Sequence, residues 1–241
     1  MTLRPDTACV YGLSDARGHD CFDPSRYVLL LYGLLKDPAT MPQDVGHRTM
    51  RMEIRAFDLL GVRYYVTSDR WKAPAGWKEV FRGPGAGIYE NLDALPRAYL
   101  AKDQVWIHRR PVPFFDPQID PRNTVFFEDA SLKLPGKAFQ RGEARVAEEG
   151  PDRLRIETTA DGWAWLVLLD NHYPGWKALL DGKELLPIHR AYGTFRAVAL
   201  PPGSHMVTFA YRPRSWTLGL LAALAGLALL AALSLGLSWR R

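Results

Sequence analysis

The last stretch of the chain, Ser215 to Ser238, is an uncharged run rich in Leu and Ala, with Trp216 and Trp239 near its ends and Arg240-Arg241 closing the chain. At ~1.5 Å per residue, a helix from Trp216 to Trp239 covers roughly 34 Å, enough to cross a hydrocarbon core of about 30 Å. Tryptophan prefers the headgroup level, and arginine sits deeper only at high cost. A buried soluble helix rarely runs this long without a charge. The expectation is a large water-facing region held by one transmembrane helix, residues 215–239, and hence a lipid bilayer as partner.

That helix is not uniformly oily. Gly219 and Ala223, Ala222 and Gly226, Ala228 and Ala232, and Ala232 and Gly236 each sit four apart. Such spacing lets helix backbones approach closely in lipid, where packing drives association. A bundle partner and a lone Ala-rich anchor both fit the pattern. Arg212 and Arg214 flank one side and Arg240 and Arg241 the other, so the count of positive residues leaves orientation tied. Met1 to Ala8 lacks the apolar core of a secretory signal. A complete chain would therefore be tail-anchored, with its water-facing part in the cytosol. The end of a longer membrane protein would instead have that part carried outside by upstream helices.

The residues before the anchor suffice for one large or two modest domains. Eight tryptophans supply ample core, and the net charge of +5 is modest. Lys and Arg interleave with Asp and Glu rather than cluster, which argues against a nucleic-acid face. Cys9 and Cys21 allow at most one intramolecular disulfide, and two reduced thiols are the simpler reading.

Hydrophobic periodicity places a helical stripe over Pro24 to Leu35 and a short helix over Arg51 to Leu60, stopped by Gly61. Val62 to Thr67 reads as a buried strand, Gly83 to Gly87 as a turn, and Gly87 onward as another strand. Together these predict a small α/β unit, residues 1–93. The following region, 94–214, reads as all-β, with strands at Ala98–Lys102, Thr124–Glu128, Gly142–Glu148, Leu154–Thr159, Ala164–Asp170, Trp176–Asp181, Phe195–Leu200 and His205–Tyr211. Asp181-Gly182 is the strongest hairpin signal, because both positions tolerate positive φ. Short, regularly spaced strands favour a β-sandwich over a barrel. The predicted class is α+β: a small α/β unit, an antiparallel β-sandwich and one C-terminal transmembrane helix. The last strand passes through Arg212-Pro213 almost directly into that helix, so the sandwich is expected to sit close to the bilayer.

Chemistry-bearing patterns are sparse. The histidines at 19, 47, 108, 172, 189 and 205 lack the i, i+4 spacing of a helical zinc site, and Cys9 and Cys21 lack the tight spacing of a thiolate clip. Gly83-Pro84-Gly85-Ala86-Gly87 leads into a strand rather than a helix, so it reads as a turn and not a phosphate cradle. Ser14-Asp15 with His19 has the residue types of a nucleophile and base, and Asp20 with Asp23 those of an acid–base pair, but spacing alone does not bring either together. No metal, cofactor or catalytic residue is expected from these patterns. Trp163, Trp165, Tyr173 and Trp176 lie close in sequence; an aromatic platform for sugar rings and simple core packing are both open, with core packing the simpler.

Several stretches together carry a resemblance: YGLSDARGHD from Tyr11 to Asp20, LLGVRYYV from Leu59 to Val66, IYENLDALPRA from Ile88 to Ala98, and YPGWKALLDGKELLPIHRAYGTFRAVALPPGSHMVTFAYRP from Tyr173 to Pro213. In this order, ahead of a membrane helix, they resemble the C-terminal region of YfhO-like bacterial membrane proteins. That family resembles GT-C-type glycosyltransferases, which take sugar from a lipid-linked donor outside the cytoplasmic membrane. The resemblance implies an extracytoplasmic domain, a cytoplasmic Arg240-Arg241, a multi-helix membrane core as partner, and a lipid-linked sugar or envelope glycan as ligand. The family pattern YGLxDxRGYD has tyrosine where this chain has His19. In GT-C enzymes the catalytic carboxylate lies in the multi-helix core, so no position here inherits it. The chain is read as an accessory region without catalysis of its own, either a C-terminal fragment or one half of a split system. A membrane-anchored glycan-binding module and a structural or assembly subunit are the alternatives. Contact residues, if any, are expected in the loop with Tyr11, Asp15, Arg17, His19 and Asp20, and in the turn with His172, Tyr173 and Trp176.

Overall fold

The computed structural model describes residues 54–67, 72–106 and 119–238. Tyr11, Asp15, Arg17, His19, Asp20, both cysteines and the Pro24–Leu35 stripe lie outside those residues. The described part begins with a short helix α1 (Ile54–Leu59) and a three-stranded antiparallel sheet of β1 (Tyr64–Thr67), β2 (Trp77–Gly83) and β3 (Ala86–Asn91), ordered β1-β3-β2. Phe57, Tyr65 and Trp77 meet edge-on or tilted, with ring centroids 5.6 to 6.3 Å apart. The Asn91 side-chain amide donates to the Asp58 carboxylate at 2.7 Å and to the Val62 carbonyl at 3.2 Å, tying helix to sheet.

The rest of the water-facing region is a β-sandwich. One sheet has six strands: β4 (Ala98–Ala101), β5 (Asp103–Trp106), β6 (Thr124–Phe127), β9 (Ala164–Asn171), β12 (His189–Ala191) and β13 (Phe195–Leu200), ordered β4-β9-β13-β12-β6-β5. The other has five: β7 (Gly142–Glu149), β8 (Arg153–Ala160), β10 (Trp176–Leu180), β11 (Glu184–Leu186) and β14 (Gly203–Tyr211), ordered β11-β10-β14-β8-β7. All eight strands expected in this region form, with ends shifted by two residues at most. Three short ones were not expected: β11, β12, and β5, which pairs parallel with β6.

Burial explains the layering. The five-stranded sheet has one wet face, so β8 alternates strictly, with Leu154, Ile156, Thr158 and Ala160 inward and Arg153, Arg155, Glu157 and Thr159 outward. The six-stranded sheet is buried on both faces, and β4, β6 and most of β9 read as continuous apolar runs. Its inner face presents Leu100, Leu166, Leu168, Val198 and Leu200 to Ile156, Val207 and Phe209 of the other sheet. Its outer face presents Tyr99, Phe127, Trp165, Val167 and Ala197 to Leu59 of α1 and Leu95. Each large side chain so buried stabilises the fold by roughly 1.5–3 kcal/mol.

A final helix α2 (Arg214–Ser238) leaves β14 after Arg212-Pro213. Its stretch Arg214–Ala231 is long and apolar enough to cross a membrane, and none of it is buried in the fold. Leu218, Leu221, Leu224, Leu227 and Leu230 are each more than half exposed. At ~100° per residue these five sweep around the helix, so it is apolar on every side rather than amphipathic. Such a surface suits lipid, and leaving it in water would cost on the order of 10 kcal/mol.

Candidate functional site

The strands define two ends. At the end where α2 departs, β9 finishes at Asn171 and the His172–Gly175 turn leads into β10, whose Trp176 lies opposite Tyr211 of β14. The turn is fastened to the helix junction. The Arg212 backbone N–H donates to the Gly175 carbonyl at 2.7 Å, and the Tyr211 N–H to the Asp152 carbonyl at 2.8 Å. Gly175 has φ +109°, and a Cβ there would meet the Tyr211 ring at 2.9 Å and Pro213 Cα at 3.1 Å. Only glycine combines that backbone with that closeness. The Trp176 and Tyr211 rings stack tilted, 5.4 Å between centroids.

A charged network closes the core behind this turn. Alternation along β9 and β13 puts Asp170 and Arg196 on the same inward face as Leu168 and Val198. Arg97 grips Asp170 with two N–H donors, Nε to Oδ1 at 2.9 Å and Nη2 to Oδ2 at 3.1 Å. Arg196 Nη2 donates to Asp170 Oδ2 at 3.0 Å, and Arg97 pairs with Glu149 at 2.5 Å. The Arg196 side chain is only 3 % exposed. Its guanidinium carbon lies 4.0 Å from the centre of the Trp176 ring and 5.4 Å from that of Phe209, a desolvated cation–π stack. Burial pulls the Arg196 pKa down to about 10, opposed by Asp170 and assisted by Arg97; the group stays charged at neutral pH. Arg97 is pushed the other way by its hydrogen bond to Asp170. Arg190, across from Arg196 in β12, has its Nε buried without an acceptor, as is Arg196 Nη1. Paired and stacked this tightly, the network holds the turn against the core.

Next to it, Tyr192 has φ +51° between β12 and β13. Its hydroxyl donates to the Thr124 carbonyl at 2.6 Å, so the Tyr99 hydroxyl must donate to Tyr192 across their 2.9 Å contact. Burial raises both phenol pKa values, and both stay neutral.

The far end is built from exposed turns. Asp161 accepts the Gln140 and Arg141 N–H groups at 2.7 and 3.0 Å. Asp181 and Gly182 take φ +50° and +71°, the hairpin geometry expected of Asp-Gly. The Asp181 carboxylate accepts the Met206 N–H at 2.8 Å and faces His205 Nδ1 at 2.9 Å.

The expected contact residues separate accordingly. His172 is half-buried, with its N–H donating to the Thr194 carbonyl at 2.5 Å, and Trp176 is packed on Arg196 and Tyr211. Tyr173 alone projects, 53 % exposed. The four aromatics form no platform. Trp165 is buried on the outer face of the six-stranded sheet, its Nε1 donating to Gln104 at 3.1 Å. Trp163 precedes β9 at the far end and packs over Gly136. Trp163 and Trp176 are thus separated by the length of β9, roughly 25 Å. His189 sits edge-on to Trp165 at 5.6 Å, and burial lowers its pKa, keeping it neutral at pH 7. Among the described residues no three His, Cys, Asp or Glu side chains gather as a metal site.

Sequence reasoning missed Arg97, Asp170 and Arg196. The one available signal was a charge at an inward register position, visible only once β9 and β13 are aligned. Compared with known proteins, the chain matches no family model, no curated protein and no solved structure.

Proposed function

We propose that this chain is a membrane-anchored accessory region of a lipid-linked-sugar transferase, which holds its sandwich over the bilayer and presents the helix-proximal end to the substrate. The junction carries the reading. The last strand ends at Tyr211, the apolar helix begins at Arg214, and Gly175 packs against Pro213 while Trp176 packs against Tyr211. So short and packed a connection cannot swing freely, and it keeps that end within a few residues' reach of the headgroups. A lipid-linked sugar carries its phosphate and first ring at this level. The transferase assignment rests on the motifs from Tyr11 to Asp20 and Tyr173 to Pro213, and the catalytic core is supplied by other membrane helices. The sandwich lies outside the cytoplasmic membrane, with Arg240 and Arg241 inside.

A photoactivatable polyprenyl-phosphate hexose, offered to the full chain in nanodiscs, is expected to crosslink to residues 172–176 and 212–214 and to be displaced by unlabelled lipid. Equal labelling by a plain phospholipid probe would overturn the substrate assignment. Retention of soluble envelope glycans without lipid would point to a glycan-binding module instead. For the side of the membrane, Ser204→Cys, made without the native cysteines, should react with an impermeant thiol reagent in intact cells. Protection of that far-end position would put the sandwich in the cytosol.

A further inference from the structure

We propose that the helix-proximal end of the sandwich is a docking face for an anionic lipid headgroup layer, with the Tyr173-Pro174 turn entering the interface and Arg153, Lys177, Arg212 and Arg214 facing lipid phosphates. This rests on α2 spanning a membrane, and goes beyond it. A spanning helix needs only a tether, whereas the face described here adds a second point of contact that sets the sandwich's tilt.

Position comes first. Gly175 touches Pro213 and bonds to Arg212, so Tyr173 and Pro174 lie beside the first residues of α2. Both are exposed, although the turn itself is firmly held. Tyrosine favours the headgroup level, where its ring is half-desolvated and its hydroxyl stays wet.

Charge comes second. Arg153 and Lys177 flank Ala210 from the two neighbouring strands, and both point away from the inter-sheet core because Leu154 and Ala178 point into it. Arg212 and Arg214 follow within a few residues. All four are exposed, and none of the four has an acidic partner among the described residues. The remaining charges nearby, Arg97, Glu149, Asp170 and Arg196, pair with one another, Arg196 buried and Arg97 and Glu149 exposed at the network's edge. Asp152 adds an exposed carboxylate on the adjoining turn. The end that meets the bilayer is thus positive in excess, and each such cation near an anionic surface favours docking roughly fivefold, an effect that salt screens.

The test uses the full chain without its native cysteines, in vesicles of phosphatidylcholine alone or mixed with phosphatidylglycerol. A fluorophore is placed by Tyr173→Cys, Ser204→Cys or Leu224→Cys, and shallow nitroxide lipids serve as quenchers. With anionic lipid, the label at 173 should be quenched several-fold more than that at 204, and the paired reversal Arg153→Glu with Lys177→Glu should abolish most of that difference. High salt should weaken it likewise. If the labels at 173 and 204 behave alike while 224 is quenched by deep nitroxides, docking is wrong and the membrane helix stands. If 173 is quenched equally in neutral vesicles and ignores the charge reversal, the anionic recognition is wrong. If 224 escapes quenching too, the spanning helix itself fails, and docking with it.

Discussion

At the helix-proximal end Asp170 is clasped by two guanidinium groups and Arg196 is almost wholly buried, whereas at the far end Asp161 and Asp181 are exposed and accept backbone N–H groups. The same strands enter both ends, so the difference is not one of topology. An ion pair with a buried guanidinium fixes geometry because breaking it strands a charge in an apolar setting. An exposed carboxylate on a turn offers water as an alternative partner and fixes little. The contrast locates where this fold invests in rigidity: at the junction through which the sandwich is joined to α2.

The largest effect is expected from Asp170→Ala. It leaves Arg196 buried without its acid and should cost about 3–5 kcal/mol, read as a lowered midpoint of thermal unfolding in detergent. Asp170→Asn, which keeps a hydrogen-bond acceptor, should recover part of it. If Asp170→Ala costs no more than a far-end turn substitution, the contrast between the ends collapses.

Gly175→Ala comes next. It must strain a φ of +109° and displace Tyr211 or Pro213, at about 1–3 kcal/mol. Its specific signature is a changed near-ultraviolet signal from Trp176 and a loosened junction, seen as broadened distances between spin labels on β10 and α2. Unchanged distances would mean that the turn does not hold the helix.

Asp181→Asn should be the mildest, below about 1 kcal/mol at neutral pH, because Asn keeps the Met206 bond and tolerates the positive φ. Its value lies in pH dependence. The Met206 N–H, and then His205, hold the Asp181 carboxyl below its ordinary value. The unfolded chain therefore binds the proton first as pH falls, and this contribution to stability is present above the unfolded value near ~3.9 and lost as pH drops through the folded one. Stability curves of wild type and Asp181→Asn should converge in acid. A constant gap down to acid pH would show that the carboxylate charge contributes nothing.

Most of the fold was legible because its signals are local. Strict alternation in Arg153–Ala160 marks a strand with one wet face, Asp181-Gly182 permits the tight turn, and the uncharged run after Arg214 needs no partner to be read as a lipid-suited helix. The short strands His189–Ala191 and Asp103–Trp106 were not legible, because three or four residues carry no periodicity and the second pairs in parallel with Thr124–Phe127, well separated from it in sequence. Of the expected contact residues, the turn His172–Trp176 proves to lie at the helix junction, yet which of its aromatics is free was unreadable: Trp176 and Tyr173 are both large and apolar enough to be core or surface.

Sequence alone determined the classes of element and their order: an all-β region of alternating and continuous apolar strands, followed after two residues by an apolar helix. These follow from hydrophobic patterning and backbone preference, which act within a few neighbours. Only the tertiary structure decided that Arg97, Asp170 and Arg196 form one network under Trp176, that Trp163 and Trp176 lie at opposite ends, and that Arg153, Lys177, Arg212 and Arg214 share the end from which the helix departs. Those facts depend on strand register between residues far apart in the chain, and a shift of one residue would turn each side chain to the other face.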